Sequence, residues 1–196
     1  SLHNLTLQFD NAPVILPTLT LTAGGSLNVT AGGAITDSGN LIVSGTTTLA
    51  PGANNIALDN ANDFIGTVSI ANGSDVTLND INALNLGAST VGGNLNVTTG
   101  GALTQSGAVT VAAITTLAAG GNDITLTNGA NNFSTVGITS GQNVALVDAN
   151  ALTINASGMS GNFSASANVG NLTIGGAVVS TGGALNLTAA NSVIQL

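Results

Sequence analysis

The segment Gly24-Gly25-Ser26-Leu27-Asn28-Val29-Thr30-Ala31-Gly32-Gly33-Ala34-Ile35-Thr36 returns, at an offset of 68 in the numbering, as Gly92-Gly93-Asn94-Leu95-Asn96-Val97-Thr98-Thr99-Gly100-Gly101-Ala102-Leu103-Thr104. Repetition at a fixed period marks architectures in which each unit buries its apolar face on its neighbours. The offset holds further along, where Asn55-Ile56-Ala57-Leu58 answers to Asp123-Ile124-Thr125-Leu126. Val76-Thr77-Leu78-Asn79-Asp80 likewise answers to Val144-Ala145-Leu146-Val147-Asp148. Phe64 and Phe133 are offset by 69 instead, which implies one inserted residue near Gly129 and a deletion soon after it.

Within each copy, apolar residues sit at i and i+2 with Asn, Thr or Ser between them, as in Leu27/Val29, Leu41/Val43, Ile56/Leu58 and Val76/Leu78. That is the period of a strand, in which alternate side chains face opposite ways. Gly-Gly, Ser-Gly and Asn-Gly separate the runs, and these residues tolerate the backbone of tight turns. No window carries a helix with a start and a stop. Three columns can be drawn: Leu27/Val29 with Thr47-Leu49 and Val68/Ile70; Ile35 with Ile56/Leu58 and Val76/Leu78; Leu41/Val43 with Phe64 and Leu84/Leu86. Members of a column lie about 20 to 22 residues apart, the circumference of a parallel β-solenoid whose turns stack at roughly 4.8 Å. The expected fold is all-β: a parallel β-helix with three short strands per rung, about 20–23 residues per rung and about eight or nine rungs. One solenoid is expected over residues 1–196, with irregular first rungs over 1–23, where Pro13 and Pro17 interrupt the pattern, copies over 24–91 and 92–160, and a divergent partial copy over 161–196.

Composition narrows the function. There is no Lys or Arg among the 196 residues, and the net charge is −8. Such a chain lacks the groups that neutralise phosphate, so nucleic acid and anionic membranes are not expected partners. Aromatics are 2%, so the core must be thin and built from Leu, Val, Ile and Ala. Polar residues interrupt every apolar run, so no membrane insertion is expected, and there is no basic segment of a signal peptide. Ser1 reads as a processing boundary.

Candidate chemistry is sparse. All eight acids are Asp, and the pairs Asp59/Asp63 and Asp75/Asp80 are the candidates for paired-carboxylate glycoside hydrolysis. Asp80 and Asp148 occupy equivalent repeat positions beside turns, which suits bonding to their own backbone, so no enzyme and no catalytic residue is expected. His3 is the one imidazole and there is no Cys, so neither a nucleophile pair nor a zinc set can be assembled. No cofactor is expected; calcium stays open, because Asp and Asn at turns supply oxygen ligands and Gly120-Gly121-Asn122-Asp123-Ile124 partly echoes a calcium repeat. Asn28, Asn72, Asn96, Asn155, Asn171 and Asn186 begin Asn-x-Ser/Thr motifs and are candidate glycosylation sites. Such motifs also arise automatically when Asn and Thr fill the outward positions of one strand.

The blocks Gly32 to Gly39, Gly100 to Gly107, Asp80-Ile81-Asn82-Ala83-Leu84 and Asn150-Ala151-Leu152 resemble the repeat regions of filamentous-haemagglutinin-like exoproteins. The resemblance covers roughly residues 24–160. It implies a right-handed parallel β-helix, export by two-partner secretion, and a place in the shaft of a large bacterial adhesin. The Asn-Pro-Asn element of that family's secretion domain is absent, so the resemblance implies shaft rather than export domain. The expected function is a rigid, protease-resistant spacer or filament body, extracellular or on the cell surface. Its expected partners are adjacent solenoid segments or identical subunits stacked end to end, and a host or neighbouring-cell surface. The alternative is a carbohydrate- or ice-binding face, which the runs Thr18/Thr20/Thr22 and Thr46-Thr47-Thr48 raise.

Overall fold

A computed structural model describes residues 2–196; Ser1 lies outside the described residues. Among the described residues the chain is all-β, without a helix, and it winds as a β-solenoid of about ten turns. Ten parallel strands form a first sheet, beginning at Leu5, Leu27, Thr47, Thr67, Leu84, Leu103, Ile124, Val144, Phe163 and Leu185. A second sheet faces it, running from Val14–Leu16 through Ile35–Asp37, Ile56–Phe64 and Val76–Asp80 to Val193–Gln195. Parallel neighbours need a long crossover, and here the opposite sheet is that crossover. At the usual strand spacing the rod is about 45 Å long.

The turns are not equal in length. Leu5 pairs with Leu27 and Leu27 with Thr47, numbering offsets of 22 and 20, whereas Thr67 pairs with Asn85, an offset of only 18. Residues 5–21 form a regular turn despite the irregularity expected of them: Leu5 lies over Leu27, Val14 over Ile35 and Leu19 over Leu41. Pro13 and Pro17 flank the strand Val14–Leu16 without entering it, where a missing N–H removes no bond of the ladder.

The first two expected columns are present, since Leu27, Thr47 and Val68 stack, as do Ile35, Ile56 and Val76. The third is present only as far as Val43 over Phe64. Leu84 and Leu86, expected beneath Phe64, lie in the first sheet, where Leu86 pairs with Val68. The reason is the length of the repeat. Leu27 belongs to the first sheet but its repeat mate Leu95 belongs to the second; Ile56 and Val76 belong to the second but their mates Ile124 and Val144 to the first. One sequence repeat is therefore three and a half turns, and consecutive repeats are related by a half rotation about the rod. Both sheets bury columns of Leu, Val and Ile, so either offers the apolar neighbours that a strand of the repeat requires.

A short third column obeys the same rule. It runs through Leu19–Leu21, Leu41–Val43 and the end of Ile56–Phe64, each after a second-sheet strand. It then changes sides, running through Ser89–Val91 and the starts of Val109–Ala118 and Asn132–Ser140, each before a second-sheet strand. Ser157–Met159 and Val178–Ser180 return it to the original side.

The interior is a continuous stack of Leu, Val and Ile, with Phe64, Phe133 and Phe163 fully buried. Burying one such side chain stabilises by about 1.5–3 kcal/mol, so the fold's stability accumulates turn by turn. Corners demand glycine at close approaches: a Cβ on Gly32 would fall on the Asp10 carbonyl, and one on the repeat-related Gly100 on the Ile81 carbonyl.

Candidate functional site

The buried polar groups form two copies of one arrangement, because the repeat recurs at offsets of 68 or 69. Asp80 and Asp148 are buried at the ends of Val76–Asp80 and Val144–Asp148. Asp80 Oδ1 accepts from Asn82 N–H at 2.7 Å, and Oδ2 accepts from Phe64 N–H at 2.8 Å. Asp148 does the same with Asn150 N–H at 2.7 Å and Phe133 N–H at 2.6 Å. Phe64 and Phe133 end their third columns, and the following turn offers no third strand to receive their N–H groups. Each Asp is thus a lid on a terminated column. Burial pushes both carboxyls above the ordinary Asp range, the backbone N–H bonds pull them partly back, and the nearby Asp63 charge pushes Asp80 up again.

Beneath each lid lies a buried amide. Asn62 Oδ1 accepts from Leu41 N–H at 2.8 Å while its Nδ2 donates to Asp37 Oδ2 at 2.7 Å. In the next repeat Asn131 Oδ1 accepts from Val109 N–H at 2.9 Å and its Nδ2 donates to Gln105 Oε1 at 2.9 Å. Ser89 and Ser157 complete the set, accepting from Ile70 and Ile138 N–H at 3.2 and 3.1 Å. Sequence reasoning missed these amides and serines. Their signal was a polar residue kept at an inward position in both copies.

The remaining candidates lie elsewhere. His3, Asp10, Asp59, Asp75 and Asp123 are exposed, and Asp37 and Asp63 half-buried. The pair Asp59/Asp63 sets an exposed beside a half-buried carboxylate and Asp75/Asp80 an exposed beside a buried one, and Asp80 commits both oxygens to backbone N–H groups. Asp75 and Asp123 take part in ladders along the rod: Asp75 Oδ1 accepts from Asn94 N–H at 2.8 Å, and Asp123 Oδ1 from Asn143 N–H at 3.0 Å. The calcium-like segment Gly120 to Ile124 is a tight turn in which Asn122 Nδ2 donates to Ala119 O at 3.0 Å. Among the described residues no three acidic or imidazole groups converge. Three surface grooves have walls of Gly, Ser, Thr and aliphatic residues, with Met159, Asn155 and Gln195 among them and no Asp or His.

Asn28, Asn96 and Asn186 point outward from strands and Asn72 is exposed at a corner, whereas Asn155 and Asn171 are half-buried. At Asn155 the hydroxyl of its motif is committed, since Ser157 Oγ donates to Asn155 O at 2.9 Å.

A family model described as repeats of unknown function (DUF5649) matches residues 2–71, 73–140 and 141–196. The chain belongs to this family. The second and third DUF5649 units begin at positions 73 and 141, so they repeat at the offset of 68 that carries the lid and the serine, with the amide displaced by one residue to 69. No curated protein and no solved structure matches the chain. The second DUF5649 unit, residues 73–140, is therefore three and a half turns of solenoid, and the second and third units each supply one buried Asp, Asp80 and Asp148.

Proposed function

We propose that this chain is a rigid spacer, a length of shaft in an extended bacterial surface or secreted adhesin. The observation that carries the reading is the unbroken pair of ladders around one apolar stack over ten turns. Bending such a rod requires breaking ladder bonds and opening the stack together, so it resists both flexure and local unfolding. The absence of Lys and Arg leaves trypsin-like proteases nothing to cleave. Its partners in this reading are neighbouring solenoid segments or copies stacked end to end. The register argues against a periodic sugar- or ice-binding face, because Thr6, Asn28, Thr48 and Ser69 stack above one another and the outward residue changes at nearly every turn.

The test combines small-angle scattering with labelling of intact cells of the source bacterium by antibody to the chain. The expected result is a rod that persists at high dilution together with label on unbroken cells. A rounded particle would overturn the spacer, and label only after lysis would overturn the surface location.

A further inference from the structure

The chain contains two Asn-Gly dipeptides, Asn72-Gly73 and Asn128-Gly129. Asn-Gly is the pair in which a backbone nitrogen most readily attacks the preceding side-chain amide, because glycine adds no Cβ to obstruct it. The fold treats the two in opposite ways. Gly73 N–H donates to Thr90 O at 3.1 Å, Gly73 bridges to Val91, and the residue is buried. Gly129 is exposed and, among the described residues, its N–H donates to nothing. The Asn128 side chain reaches forward along the chain, its Oδ1 accepting from Ala130 N–H at 2.9 Å. That bond polarises the side-chain carbonyl, and among the described residues no hydrogen bond holds the side-chain amide nitrogen, which is free to depart.

The cause is the one-residue insertion near Gly129. In the first copy, Ile56–Phe64 runs as a single strand through Asn60 and Ala61, and Asp37 holds the N–H groups of Asp59 and Asn60. In the second copy the extra residue opens this stretch into a loop between Leu126 and Asn132, and Gln105, standing where Asp37 stood, holds one backbone N–H of the loop, that of Asn128, where Asp37 holds two.

We infer that Asn128 is a site of spontaneous, fold-directed deamidation and that Asn72 is protected from it. The Gly129 nitrogen bonds to Asn128 Cγ, the Cγ–Nδ2 bond breaks, and the displaced nitrogen leaves as ammonia with the proton from Gly129 N–H. Solvent water then opens the resulting succinimide to Asp or isoaspartate. The isoaspartate form routes the backbone through Cβ and lengthens the loop. Asn131 N–H now donates to Asn128 O at 3.1 Å, so the lengthened loop loosens the buried amide that ties Gln105, Val109 and Val147 together. The modification would add one negative charge per repeat that carries the insertion.

The purified chain is incubated at mildly alkaline pH, folded or in concentrated urea, and digested with pepsin, whose acid conditions halt the reaction. Peptide masses then report the amide-to-acid exchange at each Asn. In the folded chain Asn128 converts at least about tenfold faster than Asn72, whose reaction must await local opening of the rung. In urea the two convert at matching rates. A Gly129→Val variant slows conversion at position 128 alone; the site has room for the side chain, since an added Cβ approaches nothing closer than Asn168 Nδ2 at 3.8 Å and φ is not positive. Equal rates in the folded chain, or an Asn128 that reacts only in urea, would overturn the assignment.

Discussion

Asp80 and Asp148 each satisfy two backbone N–H groups that no strand can reach, and each suffers burial in doing so. Their carboxyls bind a proton more tightly in the fold than the ordinary value of 3.8. Between that value and the raised one the folded chain holds more protons than the unfolded chain, so stability declines as pH rises through the window. The urea midpoint should therefore be higher in mild acid than at neutral pH, the reverse of ordinary acid denaturation. Replacing both residues by Ala should flatten this dependence and cost about 1–3 kcal/mol at each site, because two buried donors lose their acceptors. An unchanged pH slope in the double variant would show that the lids do not titrate with folding. Thr47 and Thr115, another repeat pair, are buried with hydroxyls that find no partner among the described residues. Valine has the same shape without the hydroxyl, so Thr47→Val and Thr115→Val should each stabilise by up to about 1 kcal/mol, read as a raised urea midpoint.

Corners decide how closely turns can stack. Gly100 N–H donates to Asp80 O at 2.8 Å, and a side chain there would strike the Ile81 carbonyl in the turn below. Gly121 has nothing within 4 Å of the same added atom and no positive φ. Gly100→Ala should lower the thermal midpoint clearly, whereas Gly121→Ala should leave it level or raise it by restricting the unfolded chain, worth about 0.4–1 kcal/mol. The two corners look alike in sequence, each a Gly-Gly pair between apolar runs, and only the position of the neighbouring turn separates them. The strands were easier to read. Alternation such as Leu27/Val29 needs only local spacing, and it located most of the strands.

At the scale of the rod, the half rotation per repeat makes a firm prediction about length. Deleting residues 73–140 removes one whole unit, and residue 141 then inherits the surroundings of residue 73 on the opposite sheet. The shortened chain should fold cooperatively, with its long dimension reduced by about 17 Å, three and a half strand spacings. Aggregation or a molten product on scattering and circular dichroism would show that the two sheets are not interchangeable.

The amino-acid sequence by itself determined the strand period, the turn chemistry, the repeat of 68 and the parallel solenoid, because each depends on residues near one another or on self-similarity. It also located the insertion near Gly129 and the bonds Asp80 and Asp148 make to their own turns. Tertiary structure decided which side of the rod each strand joins. Spacing alone cannot distinguish two sheets that bury the same kind of side chain, which is why Leu84 and Leu86 belong with Val68 rather than Phe64. It decided as well the second bond of each lid, since Phe64 and Phe133 are distant along the chain from their Asp and meet it only when one turn rests on another.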